Sequence, residues 1–335
     1  MDRPSLLALL AGALAAAACA GEAPSPVADP DSLRRPPAGD LVGVLSDYGS
    51  HAWRAIPYAE PPVGALRWRA PQPALRWSGT REALLPGAIC PQLASRMAGD
   101  TTVEAGTPVG SEDCLVLDIW APRTTPDAVP AEGSRLPVMV WIHGGGNVVG
   151  ASRFYDGGNL AAREQVVVVG VNYRLGPLGW FSHPALRGEG TTPLDRSGNY
   201  GTLDLVLALE WVRDNIAAFG GDPGKVTIFG ESAGARNVLS LLVSPPAAGL
   251  FQRAISQSGG TETTARSEAE NLVDAPEPGD ANSSGEVLLR LLVARGRAAS
   301  RDEAKELVAA MERAELEGAL RDATPAELLS AYGKG

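Results

Sequence analysis

The sequence predicts an α/β protein with a mostly parallel central sheet and flanking helices. Three observations carry that prediction. Short runs rich in β-branched and apolar residues stand at Val138–Ile142, Val166–Val171 and Val226–Phe229, each of a length suited to a buried strand. Between them, the stretch from Leu203 to Phe219 places Leu205, Leu209, Val212 and Ile216 on one helical face. The 39 glycines and 27 prolines supply turns for long connecting loops.

With 335 residues, 44% of them apolar, the chain is long enough to bury a full core. A net charge of −10 argues against a nucleic-acid partner and against anionic membrane surfaces. Past the N-terminus no eighteen-residue apolar run occurs, so the body is not expected to cross a membrane. No metal cluster or nucleotide-binding loop is visible. Gly220, Gly221 and Gly224 read as turn glycines before a strand, and neither metal nor cofactor is expected.

In chain order, residues 1–19 read as an export signal, with the apolar run Leu6 to Ala18 behind the single basic residue Arg3. Two processing routes fit the small residues at its end. Ala16, Ala17, Ala18, Cys19 resembles a bacterial lipobox that would leave lipidated Cys19 as a membrane tether, whereas Ala18 and Ala20 form an A-x-A site that discards it. An otherwise odd thiol in an exported protein favours the lipoprotein route, so the expected location is the bacterial cell envelope or the exterior. Residues 20–40, rich in Pro, Ala and Asp, read as a flexible tether, and 41–335 as the folded domain.

From Leu41 come short strands, a loop between two cysteines, and the strand that runs into His143. The strand at Val166–Val171 and the long helix follow. Val226, Thr227, Ile228 and Phe229 then lead into Gly230, Glu231, Ser232, Ala233, Gly234, after which a helix through Asn237 to Val243 stops at Pro245 and Pro246. Arg253 to Gln257 is a further strand. From Gly285 onward the chain is helical and amphipathic, and Asn282 begins a glycosylation sequon by pattern.

Two of these turns carry chemistry. G-x-S-x-G between a strand and a helix is a sharp turn in which glycines let neighbouring backbone approach a serine held in strained geometry, with its Oγ projecting above the sheet. Upstream, His143, Gly144, Gly145, Gly146 leaves main-chain N–H groups bare at a strand end. Such donors, together with the N–H of the residue after a nucleophile, stabilise the charge that develops on a carbonyl oxygen during acyl transfer.

With these two motifs the chain resembles a type B carboxylesterase of the α/β-hydrolase superfamily. The stretches IPYAEPPVG (56–64) continuing to Arg67, EDCLVLDIW (112–120), VNYRLGPLG (171–179) and NIAAFGG (215–221) carry the same resemblance, which runs from about residue 41 to the end. It implies an α/β-hydrolase fold whose last strands and helix are missing, Ser232 as nucleophile, and Gly145, Gly146 and Ala233 as oxyanion donors. It also implies a disulfide between Cys90 and Cys114, against the alternative of two free thiols, and an Arg67–Glu112 salt bridge. Relatives that hydrolyse choline esters carry a tryptophan in the cysteine loop. Residues 91–113 contain none, so cation–π recognition of choline is not expected. Glu231 is left with two roles, tuning the site or capping the helix that follows. Arg236 departs from the family pattern, where a small or apolar residue is usual.

The triad order in this superfamily is serine, acid, histidine, yet His51, His143 and His183 all precede Ser232 and no histidine follows it. Removing the base from a serine hydrolase costs about 10⁶ in turnover, roughly 8 kcal/mol. The expectation is therefore a truncated or split carboxylesterase acting on a small-molecule ester, with a complementing polypeptide able to supply the missing groups. The alternative is a non-catalytic, cholinesterase-like binding protein.

Overall fold

A computed structural model describes residues 25–96 and 103–333. The expected signal segment and Cys19 lie outside the described residues. The central sheet has seven strands: β1 (Val44–Leu45), β2 (Ser50–Pro57), β3 (Val116–Pro122), β4 (Leu136–Ile142), β5 (Val167–Val171), β6 (Gly221–Glu231) and β7 (Arg253–Gln257). Their spatial order is β7-β6-β4-β5-β3-β2-β1. The sheet is mixed. From β7 through β6 and β4 to β5 every pairing is parallel, while β5–β3, β3–β2 and β2–β1 are antiparallel.

The parallel half positions the site. Strand β5 is buried throughout, as its continuous apolar run predicts, while β4 and β6 bury alternate residues and leave Met139, Trp141, Thr227 and Phe229 partly open. Val138, Val140, Ile142, Val167, Val169, Val226 and Ile228 are all buried at 1% exposure or less. Val226 pairs with Val138 and Gly230 with Ile142, while Ile142 also pairs with Val171. This register brings the C-terminal ends of three strands, and the loops that leave them, to one edge of the sheet.

Four helices lie between β4 and β7 along the chain: α1 (Gly158–Glu164), α2 (Gly176–Gly179), α3 (Tyr200–Asn215) and α4 (Ala233–Leu242). Helix α3 starts three residues before the expected Leu203 and passes into a 3-10 turn over Ile216–Phe219, closed by Gly220 at φ +83°. Its Leu205, Leu209 and Val212 join the main core with Ile216, as their spacing predicts. After β7 come α5 (Arg266–Glu270), α6 (Ser284–Ala294), α7 (Arg301–Ala310), α8 (Arg313–Arg321) and α9 (Pro325–Tyr332). Leu288, Leu292, Leu320 and Leu328 of this group form a second core with Trp68 and Phe181, whose rings stack at 4.9 Å. Strand β7 is an edge among the described residues, with Ile255 45% exposed and Leu242 and Val243 of the preceding helix end also open.

The segment expected as tether differs from a linker from Asp29 onward. Asp29 donates its N–H to the Gly43 carbonyl at 2.9 Å, and Arg34 and Leu41 exchange both backbone bonds. Ser32 is fully buried, its Oγ accepting from the Gly43 N–H at 2.7 Å and its carbonyl from the Trp53 indole at 2.9 Å. Composition misled here because Pro30, Pro36 and Pro37 suit turns as well as linkers, and the partners that dock this arm lie outside it.

No helix of the described residues is long and apolar enough to cross a membrane.

Candidate functional site

Ser232 sits between β6 and α4 with φ 55° and ψ −120°. A positive φ is costly for a side chain bearing Cβ, by about 1–3 kcal/mol, and persists only where the surroundings hold it. The flanking glycines show how. A Cβ on Gly234 would lie 2.0 Å from the Ile142 carbonyl oxygen, and one on Gly230 would lie 2.6 Å from the Gly234 carbonyl carbon. The elbow is thus wedged against the end of β4, where only glycine backbone fits. The Ser232 N–H is fixed to the Gln257 carbonyl of β7 at 2.9 Å, and the Arg236 N–H to the Ser232 carbonyl at 3.0 Å. Ser232 itself is exposed, and among the described residues nothing hydrogen-bonds its Oγ.

The glycine loop leaves β4 directly against this elbow. A Cβ on Gly144 would come within 3.3 Å of the Ser232 Cβ and 3.1 Å of Glu231 Oε2. Gly145 (φ +107°) and Gly146 (φ +65°) follow in conformations that L side chains rarely adopt, and the Gly145 carbonyl accepts from the N–H groups of Val148 and Val149. Among the described residues no carbonyl accepts from the N–H groups of Gly145, Gly146 or Ala233. Ala233 opens α4, so its N–H belongs to the unpaired first turn of a helix, where the helix dipole favours negative charge.

His143 anchors the loop. Its ring stacks on Tyr173 at 4.4 Å, Nδ1 lies 2.9 Å from the Gly144 carbonyl, and Tyr173 donates its hydroxyl to the His143 carbonyl at 2.5 Å. Burial pushes the His143 imidazole down to about 4, so it is neutral at ordinary pH. The other histidines are also committed elsewhere. His183 Nδ1 accepts from the Ala185 N–H and burial holds the ring at about 4. His51, lowered by burial and by the neighbouring Arg34, lies between Arg34 and Asp29 at 3.4 and 3.3 Å.

Cys90 and Cys114 are joined, with their Cα atoms 5.0 Å apart. Arg67 meets Glu112 through two parallel bonds of 2.7 and 2.6 Å and also donates to the carbonyls of Arg321 and Ala323. Glu231 makes no capping bond to α4 among the described residues. It stands exposed beside the glycine loop, where its charge adds to burial in raising Tyr155. Described His, Cys, Asp and Glu residues form no group that could hold a metal.

Several supporting residues carry no sequence signal. Asn147 (φ +60°) and Asn237 exchange side-chain amide bonds at 2.9 and 3.3 Å, tying the glycine loop to α4. Gln92, within the cysteine loop, accepts from the Gly150 N–H and donates to the Gly150 carbonyl at 2.8 and 3.0 Å. Tyr173, within VNYRLGPLG, takes its stacking role only because β5 lies beside β4.

A strained serine at a strand-to-helix turn, facing a glycine loop at the C-terminal edge of parallel strands, defines an α/β-hydrolase. The chain belongs to the carboxylesterase family, which matches residues 37–276. It is 46% identical to the para-nitrobenzyl esterase of Bacillus subtilis (strain 168) over 69% of this chain and 44% of that protein. It is 49% identical to the cocaine esterase of Oryctolagus cuniculus over 66% of this chain and 40% of that one. Among solved structures, a thermophilic PNB esterase superposes with a TM-score of 0.70 at 36% identity, covering 90% of this chain and 53% of that chain. The chain therefore spans about half the length of the relatives it matches.

Proposed function

We propose that this chain supplies the nucleophile and oxyanion donors of a serine carboxylesterase, an enzyme that transfers the acyl group of a small-molecule carboxylic ester to water. The observation that carries the reading is Ser232 at φ 55° beside the glycine loop, where a Cβ on Gly144 would lie 3.3 Å from the Ser232 Cβ. In this reading Ser232 Oγ attacks the ester carbonyl carbon and forms a tetrahedral adduct, whose oxyanion is met by the free N–H groups of Gly145, Gly146 and Ala233. Collapse expels the alcohol and leaves an acyl-enzyme on Ser232. Water then attacks the acyl carbon and releases the acid.

The proton on Ser232 Oγ needs a base. The three histidines are buried or bonded elsewhere, with protonation disfavoured in each, so the base and the acid that orients it are assigned to polypeptide outside residues 1–335, in the same or a second chain. Lipidated Cys19 would hold the enzyme at the cell envelope in this reading.

The test is p-nitrophenyl butyrate hydrolysis by the folded chain beside Ser232→Ala, in buffer and with added imidazole as a surrogate base. The expected result is no difference in plain buffer and a serine-dependent increment that grows with imidazole. Serine-dependent multiple turnover in plain buffer would overturn the assignment of the base. No serine-dependent rate under either condition, with circular dichroism showing folded protein, would overturn the enzymatic reading and favour a binding protein.

A further inference from the structure

We propose that Gln92 is a positioning residue for the oxyanion donors, and that the Cys90–Cys114 bridge acts on the site through it; the inference rests on the esterase reading above. Gln92 is 1% exposed, and backbone on two sides engages its side-chain amide. Oε1 accepts from the Gly150 N–H at 2.8 Å, while Nε2 donates to the Gly150 carbonyl at 3.0 Å and to the Cys90 carbonyl at 2.9 Å. One planar amide thus pairs both polar groups of Gly150, as a neighbouring strand would. Burial strengthens these bonds, because no water competes for them.

Gly150 in turn rests on the start of the glycine loop. A Cβ on it would lie 2.5 Å from His143 Nδ1 and 2.7 Å from the Gly144 carbonyl oxygen. One residue earlier, the Val149 carbonyl oxygen would lie 2.1 Å from a Cβ on Gly145, and the Val148 and Val149 N–H groups both bond the Gly145 carbonyl. Each carbonyl shares a rigid peptide plane with the N–H that follows it. The Gly144 carbonyl therefore sets the direction of the Gly145 N–H, and the Gly145 carbonyl that of the Gly146 N–H. Both planes are held by residues 148–150. The tip of the loop has a separate anchor, in the Asn147–Asn237 amide exchange and the Gly176 N–H bonded to the Asn147 carbonyl. Gln92 anchors the returning limb.

The bridge holds Gln92. Cys114 is fully buried at the root of β3, where the next two carbonyls, of Leu115 and Val116, accept from the Tyr58 and Asn172 N–H groups. Cys90 is joined to it, and two residues on Gln92 pairs with Val109 in a short antiparallel ribbon. A second tie runs from the Asn172 side chain to the Ala88 carbonyl and the Ser152 N–H without passing through the cysteines. Loss of the bridge should therefore loosen the glycine loop less than loss of the Gln92 amide. Neither change touches the contacts that hold Ser232, whose N–H is fixed to β7. The effect falls on oxyanion stabilisation, an interaction made in the transition state, and so on kcat rather than KM.

The experiment compares the folded chain with Gln92→Met, with Cys90→Ala plus Cys114→Ala, and with all three substitutions together. Two quantities are measured: p-nitrophenyl butyrate hydrolysis with imidazole, after subtraction of the Ser232→Ala rate, and amide hydrogen exchange at Val148 and Val149, with α3 as the control for global unfolding. Gln92→Met should lower the serine-dependent kcat at least about tenfold with KM within about twofold, and should speed exchange at Val148 and Val149 while α3 stays protected. Removing the bridge should lower kcat by about threefold, and the triple variant should match Gln92→Met alone, because the two changes act in series. A parent chain with no serine-dependent rate would remove the esterase reading and this role with it. A responsive parent whose Gln92→Met variant keeps its kcat would overturn the role alone. So would unchanged exchange at Val148 and Val149, an equal rise in exchange at α3, or effects of bridge and amide that multiply.

Discussion

Two corners of this molecule, about equally rich in polar groups, are built on opposite rules. At the Arg67 corner every charge is answered: Glu112 accepts two parallel bonds, two helix-end carbonyls take the remaining donors, and the Cys90–Cys114 bridge closes the loop alongside. At the Ser232 corner the backbone is strained, the hydroxyl has no hydrogen bond among the described residues, and three N–H groups point to no carbonyl. The first corner spends its polar groups on holding residues 67, 112 and 321–323 together. The second leaves them unspent, and the cost is carried by close glycine packing. Reactivity is kept where internal pairing is withheld, and stability where it is complete.

The largest effect should come from filling the contact that holds the strained corner. Gly234→Ala places a methyl 2.0 Å from the Ile142 carbonyl oxygen, a backbone atom that cannot swing away. Unfolding in urea should show a loss of at least about 3 kcal/mol, or failure to fold, at the upper end for overpacking. A loss below about 1 kcal/mol would mean that the elbow is not wedged against β4.

Next comes the satisfied corner. Arg67→Met keeps an apolar stem but strands Glu112, 11% exposed, and two carbonyls. Removing one partner of such a pair costs about 3 kcal/mol, measured by the same denaturation. A change under 1 kcal/mol would equate this pair with an ordinary surface pair.

Acid should expose the buried histidines, one in the glycine loop and one at the Pro184–Leu186 turn. His143 and His183 are held at about 4 by burial, below the ordinary 6.5. Between those values the unfolded chain binds protons that the folded chain refuses, so stability is intact above about 6.5 and falls as pH drops toward 4. Substituting His143 by Phe, which can still stack on Tyr173, should flatten part of that decline. An unchanged slope would show that the ring does not titrate with folding.

The smallest effect has the opposite sign. Ser232→Gly abolishes the hydroxyl yet relieves a positive φ, and the protein should gain about 1 kcal/mol in stability. A loss would mean that Ser232 contributes contacts to the fold that the geometry does not show.

The elbow was legible because its residue types have a narrow physical purpose. Gly230 and Gly234 are where a Cβ would collide with backbone, Ser232 lies between a β-branched strand and a helix, and the glycine run after Ile142 announces exposed donors. Strand β7 and the apolar face of α3 followed from local pattern in the same way. Three features were not legible. The arm from Asp29 to Asp40 looked like a linker, because its docking depends on Trp53 and Gly43. The Asn147–Asn237 amide exchange joins residues 90 positions apart with no periodicity between them. Arg236 could be seen as a departure from the family pattern, yet its exposed pairing with Glu262 could not.

From its residues alone the chain settles its family, the order of strands and helices along it, and which serine stands at the sharp turn, because those are local matters of periodicity, β-branching and glycine. Only the tertiary structure decided that the ends of β4, β5 and β6 meet at one edge and that all three histidines are turned to other partners. Those facts depend on strand register and on contacts between residues far apart in sequence, where a shift of one position would send each side chain to the other face.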